Sequence, residues 1–166
     1  LDAAGRWPLA GLSVTIPHKE AVLARCTEID DLVKSIGAAN TLSFSGDTIS
    51  AKNTDAIAAV ESLQAVLAEN EQSPNAVGIG IKTALVLGAG GAARAVAFGL
   101  KQQGIEVTVA ARTAERGQKV ATEVGCKAID WGARHRMPHD CIVNATPIGM
   151  HPDVNATPFD KEHLRP

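Results

Sequence analysis

The apolar positions of this chain change rhythm part-way along it. From Gly11 to Ile16 (GLSVTI) a short β-prone run ends in Pro17, which suits the first position of a helix continued by the helix formers Glu20 to Cys26. Asp30 to Ser35 predicts another short helix and Gly37 a turn. Thr41–Phe44 and Thr48–Ala51 predict two strands around a Gly46-Asp47 turn. Thr54 or Asp55 then caps a helix of about a dozen residues, with Ile57, Val60, Leu63, Val66 and Leu67 at helical spacing. Glu69 to Gly80 is polar and contains Pro74, which reads as a linker between lobes.

From Lys82 onward strands and helices alternate. The predicted order is strand Thr83–Leu87, helix Ala92–Gln103, strand Val107–Ala111, helix Glu115–Val124, then strands Cys126–Ile129 and Asp140–Asn144. This β-α-β-α-β order predicts a parallel sheet with helices on both faces. The expected class is α/β: a partial N-terminal lobe in residues 1–54, a connecting helix and linker in 55–82, and a Rossmann-type doubly wound parallel sheet in 83–166.

Composition narrows the function classes. Of 166 residues, 45% are hydrophobic and 20% charged, as in ordinary globular proteins. A net charge of −2 offers no field for nucleic acid, and 3% aromatic residues without tyrosine offer no base-stacking platform. Cys26, Cys126 and Cys141 have neither metal-ligand spacing nor a disulfide pattern, so no metal is expected and a reducing, cytoplasmic setting is. The most apolar stretch, Ala84 to Leu100, is broken by glycines and Arg94 and predicts no membrane span. The first residues do not read as a signal peptide. Both ends read as cut.

The chemistry begins at TALVLGAGGAARAVAFGL, where a buried strand runs into Gly88-Ala89-Gly90-Gly91-Ala92-Ala93 and a helix. Gly88 permits the tight turn, Gly90 lets the backbone approach a pyrophosphate, and Ala93 allows close helix–strand packing. The helix N-terminus offers free amides to phosphate. A tight turn without a ligand is the plain alternative. The next strand ends Ala110-Ala111-Arg112-Thr113, with no acid for a ribose 2′-hydroxyl. Arg112, Arg116 and the Thr113 hydroxyl suit a 2′-phosphate, which favours NADP over NAD. Solvated arginines, one neutralised by Glu115, are the alternative reading.

Five segments carry a family resemblance. Ser13 to Lys19 (SVTIPHK), Ser35 to Thr41 (SIGAANT), Asn53-Thr54-Asp55, Gly88 to Ala92 and Asn144 to Met150 (NATPIGM) occur in the order and spacing of the motifs of shikimate dehydrogenases. The resemblance covers Gly11 to about Met150 and is specific because the segments are collinear. It implies that Lys19 is the catalytic lysine, Asp55 its partner carboxylate, and Thr15 and Asn40 substrate contacts. It further implies cofactor contacts at Gly88, Gly90, Gly91, Ala92, Arg112, Thr113, Arg116, Asn144, Thr146 and Met150. The implied reaction is the reversible, NADPH-dependent reduction of 3-dehydroshikimate to shikimate, in chorismate and aromatic amino-acid biosynthesis. A lysine beside a carboxylate suits a developing alkoxide, either as proton donor or as charge stabiliser.

Where the family carries Asn before Arg-Thr, this chain has Ala111. The family's N-terminal serine pair and C-terminal glutamine helix are outside the 166 residues, so weak or no activity is expected of the chain alone. LSVTIPHKEAVL is also reminiscent of bifunctional proteins with a preceding dehydroquinate dehydratase. A quinate/shikimate dehydrogenase using NAD and a non-catalytic dinucleotide-binding module are the alternatives. A homodimer through open sheet edges is a further expectation.

Overall fold

The computed structural model describes residues 9–71 and 80–164. Residues 72–79, most of the expected linker, lie outside the described residues, while its first residues continue a helix.

The first lobe is a four-stranded sheet in the order β1-β3-β4-β2, built from β1 (Gly11–Ser13), β2 (Glu28–Ile29), β3 (Thr41–Ser45) and β4 (Thr48–Lys52). β3 and β4 form the expected hairpin, with Gly46 at φ 57 in the turn. Between β2 and β3 lies helix α1 (Asp31–Ile36). The Asp30 carboxylate caps it by accepting from Val33 N at 2.7 Å, and Gly37 ends it in the left-handed region. Val22, Val33, Ala39, Leu42 and Ala51 form the core of this lobe.

Pro17 does not begin a helix. It follows a cis peptide bond in a turn, and the helical segment is a short 3-10 stretch, Ala21–Arg25. The two-residue β2 was not expected; it pairs in parallel with β4 and is too short to show a period in sequence.

Helix α2 (Asp55–Glu71) leads away from the first lobe. Neither Thr54 nor Asp55 supplies its cap. Asn53, which is buried, accepts from the amides of Asp55 and Ala56 at 3.0 and 3.4 Å. Only part of the apolar set of α2 faces protein: Val60, Leu63 and Leu67 are half-buried, whereas Ile57 and Val66 are exposed.

The second lobe contains β5 (Thr83–Leu87), α3 (Gly91–Gln102), β6 (Glu106–Ala111), α4 (Ala114–Val124), β7 (Lys127–Asp130) and β8 (Cys141–Asn144). All pairs in its sheet are parallel, in the order β7-β6-β5-β8, so the winding direction reverses between β5 and β8. The expected Rossmann-type α/β class is the observed one. On one face Ala84, Val86, Val107 and Val109 pack with Ala93, Val96, Ala97 and Leu100 of α3 and Val120 and Val124 of α4. On the other, Leu85, Leu87 and Ala110 are covered, among the described residues, by Phe159, Trp131 and neighbours rather than by an α-helix. The chain from β7 to β8 forms a 3-10 turn (Trp131–Ala133) and loop, so among the described residues the expected helices on both faces are found on one face only.

The lobes are packed together. Ile36, Ala38, Ala56 and Ala95 form one buried cluster drawn from α1, the segment after it, α2 and α3. Gly99 lets α2 cross α3 closely: a Cβ there would stand 2.7 Å from Ala56 O.

Candidate active site

At the junction of the lobes, the chain after β1 runs beside the segment before β3. Val14 N donates to Asn40 O at 2.7 Å and Ala39 N to Lys19 O at 2.8 Å. This ladder fixes the backbone of Lys19 and Asn40 side by side. Asn53, donating to Ala38 O at 2.8 Å while capping α2, places Asp55 at the helix start opposite them.

Three predicted residues therefore meet. Lys19 Nζ donates to Asp55 Oδ2 at 2.7 Å, with the lysine side chain only 13% exposed. Asn40 Nδ2 donates to Asp55 Oδ1 at 2.7 Å and to Thr54 Oγ1 at 2.7 Å. The Asn40 oxygen accepts from Thr41 Oγ1 at 2.9 Å and from Thr54 N at 3.0 Å. Its amide is thus tied into the protein and aims Asp55 at the lysine. Thr15 is exposed, one turn from this cluster.

Lys19 also lines a cleft of about 280 Å³. Across it stand Gly88, Ala89, Gly90, Gly91 and Ala92, then Arg112, Thr113 and Arg116, and finally Thr146. Segments far apart in sequence thus share one wall-to-wall space. Gly88 has φ 116, and a Cβ on it would sit 2.9 Å from Ala145 O. Gly90 faces open space, and among the described residues no side chain caps α3 there. An uncapped helix N-terminus beside an open glycine fits a bound pyrophosphate. Gly91 serves the packing of the lobes, since a Cβ on it would stand 2.7 Å from Lys19 Cβ. The lysine segment fills the place of its missing side chain.

Arg112 and Thr113 are exposed at the tip of β6, beside the cleft. Arg116 lies close enough to Glu20 for a weak pair at 3.7 Å, so Glu20 rather than Glu115 is the acid facing it. Asn144 does not point into the cleft; it shapes the loop, accepting from Thr146 N and Oγ1 and donating to Ile148 O. Met150 is 58% exposed and outside the cleft lining.

Sequence reasoning missed three residues. Arg94, on buried α3, is 3% exposed and pairs with Glu20 and Glu123, linking the lysine segment to α3 and α4. A lone charge in an apolar run was the available signal. Asn53 is the hinge of the cluster, and Trp131 closes one side of the cleft.

Comparison with known proteins finds relatives for both lobes. Residues 2–42 match the family model described as shikimate dehydrogenase substrate binding domain, and residues 67–146 the one described as shikimate / quinate 5-dehydrogenase. The chain is 41% identical over 144 residues to the shikimate dehydrogenase (NADP(+)) of Maridesulfovibrio salexigens, covering 86% of this chain and 49% of the relative. It is 38% identical to the chloroplastic bifunctional 3-dehydroquinate dehydratase/shikimate dehydrogenase of Arabidopsis thaliana, covering 99% of this chain and 29% of that protein. The shikimate 5-dehydrogenase of Thermus thermophilus, solved with NADP(H) and shikimate, superposes with a TM-score of 0.76 at 35% identity, covering 97% of this chain and 57% of that one. A quinate dehydrogenase from Corynebacterium glutamicum solved with NAD gives 0.79 at 29% identity, covering 98% and 58%. The chain spans about half the length of the single-function relatives it matches.

Proposed function

The chain belongs to the shikimate dehydrogenase family, and on that premise we propose that it carries the catalytic lysine and the nucleotide lobe of an enzyme that reversibly reduces 3-dehydroshikimate to shikimate with NADPH, a step of aromatic amino-acid biosynthesis. The observation that carries the reading is the shared cleft: Lys19, held by Asp55, faces the glycine loop and Arg112 across one small space.

Substrate binding and catalysis fall to residues 1–54 together with Asp55, connection to 55–82, and nucleotide binding to 83–166. Gly88, Gly90, Gly91 and Ala92 would receive the pyrophosphate, and Arg112, Thr113 and Arg116 a 2′-phosphate. When bound, the reduced nicotinamide supplies the hydride. Lys19 would place positive charge where the ketone oxygen gains electron density, and its ammonium would donate the proton to that oxygen. Asp55 restrains the lysine, and Asn40 restrains Asp55, so the charge is oriented before reaction. Thr146 and the loop held by Asn144 line the nicotinamide side; Thr15 contacts substrate, and Met150 borders the same loop.

The test is a calorimetric titration of the purified chain with NADPH and NADH, with shikimate turnover followed in the same samples. We expect NADPH to bind more tightly, Arg112→Ala to weaken NADPH by about tenfold or more and NADH much less, and any turnover to vanish in Lys19→Ala. Equal affinity for both nucleotides would favour the NAD-dependent quinate/shikimate reading. Binding without turnover would leave a nucleotide-binding module.

Two broader proposals accompany this. Among the described residues no helix is long and apolar enough to cross a membrane, and the three cysteines are unpaired; a reducing cytoplasmic setting accounts for free thiols. Among the described residues each sheet ends in strands paired on one side only, which suits association of two copies; a monomeric mass in light scattering at high concentration would remove that idea.

A further inference from the structure

We propose that His135, Asp160 and His163 form a binding site for a divalent transition-metal ion of the zinc type, outside the catalytic cleft. Each offers one ligand atom, and the three atoms lie within 4.8 Å of one another. His135 Nε2 stands 3.4 Å from Asp160 Oδ2. That is long for an N–H···O hydrogen bond. It is close to the edge of a tetrahedron whose ligands sit about 2.0–2.1 Å from zinc, an edge of roughly 3.3 Å.

His135 supplies an independent observation. Both of its ring nitrogens are buried and neither has a hydrogen-bond partner among the described residues. Buried polar atoms are nearly always paired, and one that is not calls for an explanation. A metal bond would satisfy one nitrogen at once. The ring is also held, with its centroid 4.4 Å from that of Phe159 and 4.3 Å from that of His163. One ligand is thus preplaced by packing, while Asp160 and His163 sit on an exposed 3-10 turn and its cap, where a small movement closes the remaining gap.

The donor set selects the ion. Two imidazoles and one carboxylate suit zinc and its first-row neighbours, with a fourth position for water; magnesium and calcium prefer all-oxygen sites. Cysteine spacing gives no hint of it, because the donors come from two segments that only the fold brings together. The site would pin the turn at 160–163 to the loop after β7. Next to it, Arg134 donates to Pro158 O at 2.7 Å and Trp131 O at 2.9 Å and stands 4.6 Å over the Trp131 ring, which lines the cleft. Trp131 fluorescence is therefore a local reporter of occupancy.

The experiment is a calorimetric titration of untagged, chelator-stripped protein with zinc chloride, paralleled by cobalt(II) absorption and tryptophan fluorescence. We expect one saturable equivalent, tetrahedral cobalt bands, and a loss of affinity of about tenfold or more in both His163→Ala and Asp160→Asn. Both changes fall at exposed positions, and circular dichroism verifies that the variants fold. Absence of a saturable equivalent would overturn the proposal. So would one equivalent bound with unchanged affinity in both variants, because the ion would then sit elsewhere.

Discussion

Asn53 concentrates several roles in one amide. It is 3% exposed, donates to Ala38 O in the first lobe, and accepts from the first two amides of α2. The start of α2, and with it Asp55, is fixed by this side chain. Asn53→Ala removes a cap and leaves a buried carbonyl unpaired, so we expect a loss of about 1–3 kcal/mol in urea unfolding. An unchanged midpoint would mean that Thr54 takes over the cap. Asn-Thr-Asp offers three good caps in a row, and sequence cannot rank them, because the choice depends on which one is buried beside Ala38. Lys19, Asp55 and the glycines were legible as motif members. Arg94 was not, since its partners Glu20 and Glu123 come from segments that sequence does not place together.

At the scale of elements, the central strands β5 and β6 were readable because they form buried apolar runs bounded by turn residues. The position of β8 has a specific clamp. Asp140 Oδ2 accepts from Lys82 N at 2.9 Å, Thr83 N at 2.8 Å and Thr83 Oγ1 at 2.9 Å, tying the start of β8 to the start of β5. Those backbone and hydroxyl bonds hold the Asp140 carboxyl below its ordinary pKa. A group lowered in the folded state stabilises above its unfolded pKa, and the stabilisation fades as pH falls toward the folded value. Asp140→Asn should therefore be less stable than the parent chain at pH 7, with the gap narrowing below about pH 4. Urea midpoints across that range measure it, and a gap independent of pH would assign the difference to shape instead of charge. Helix α2 shows the limit of periodicity. Its apolar spacing predicted one buried stripe, but α2 meets α3 along a narrow line near Gly99, leaving Ile57 and Val66 exposed.

For the whole molecule, the contact between lobes decides whether the lysine faces the nucleotide site. Gly91 belongs to the glycine loop, yet the atoms nearest its missing Cβ are Lys19 Cβ at 2.7 Å and Ala38 Cβ at 3.2 Å. Gly91→Ala should force the lobes apart locally, with a cost of about 1–3 kcal/mol from overpacking. In the same variant NADPH affinity should fall less than stability does, because Gly90 keeps the phosphate approach open. A variant as stable as the parent would show that the lysine segment yields freely.

The sequence by itself determined the α/β order, the nucleotide-type loop, the family and the identity of the lysine–carboxylate pair, because each is written in local periodicity or in contiguous motifs. Only the tertiary structure decided that Asn53 caps α2, that Asn40 aims Asp55, that Gly91 receives Lys19, and that Arg94 and the His135–Asp160–His163 group exist as units. These depend on distances between segments far apart in the chain, which are set by how the lobes pack and leave no period or spacing to read.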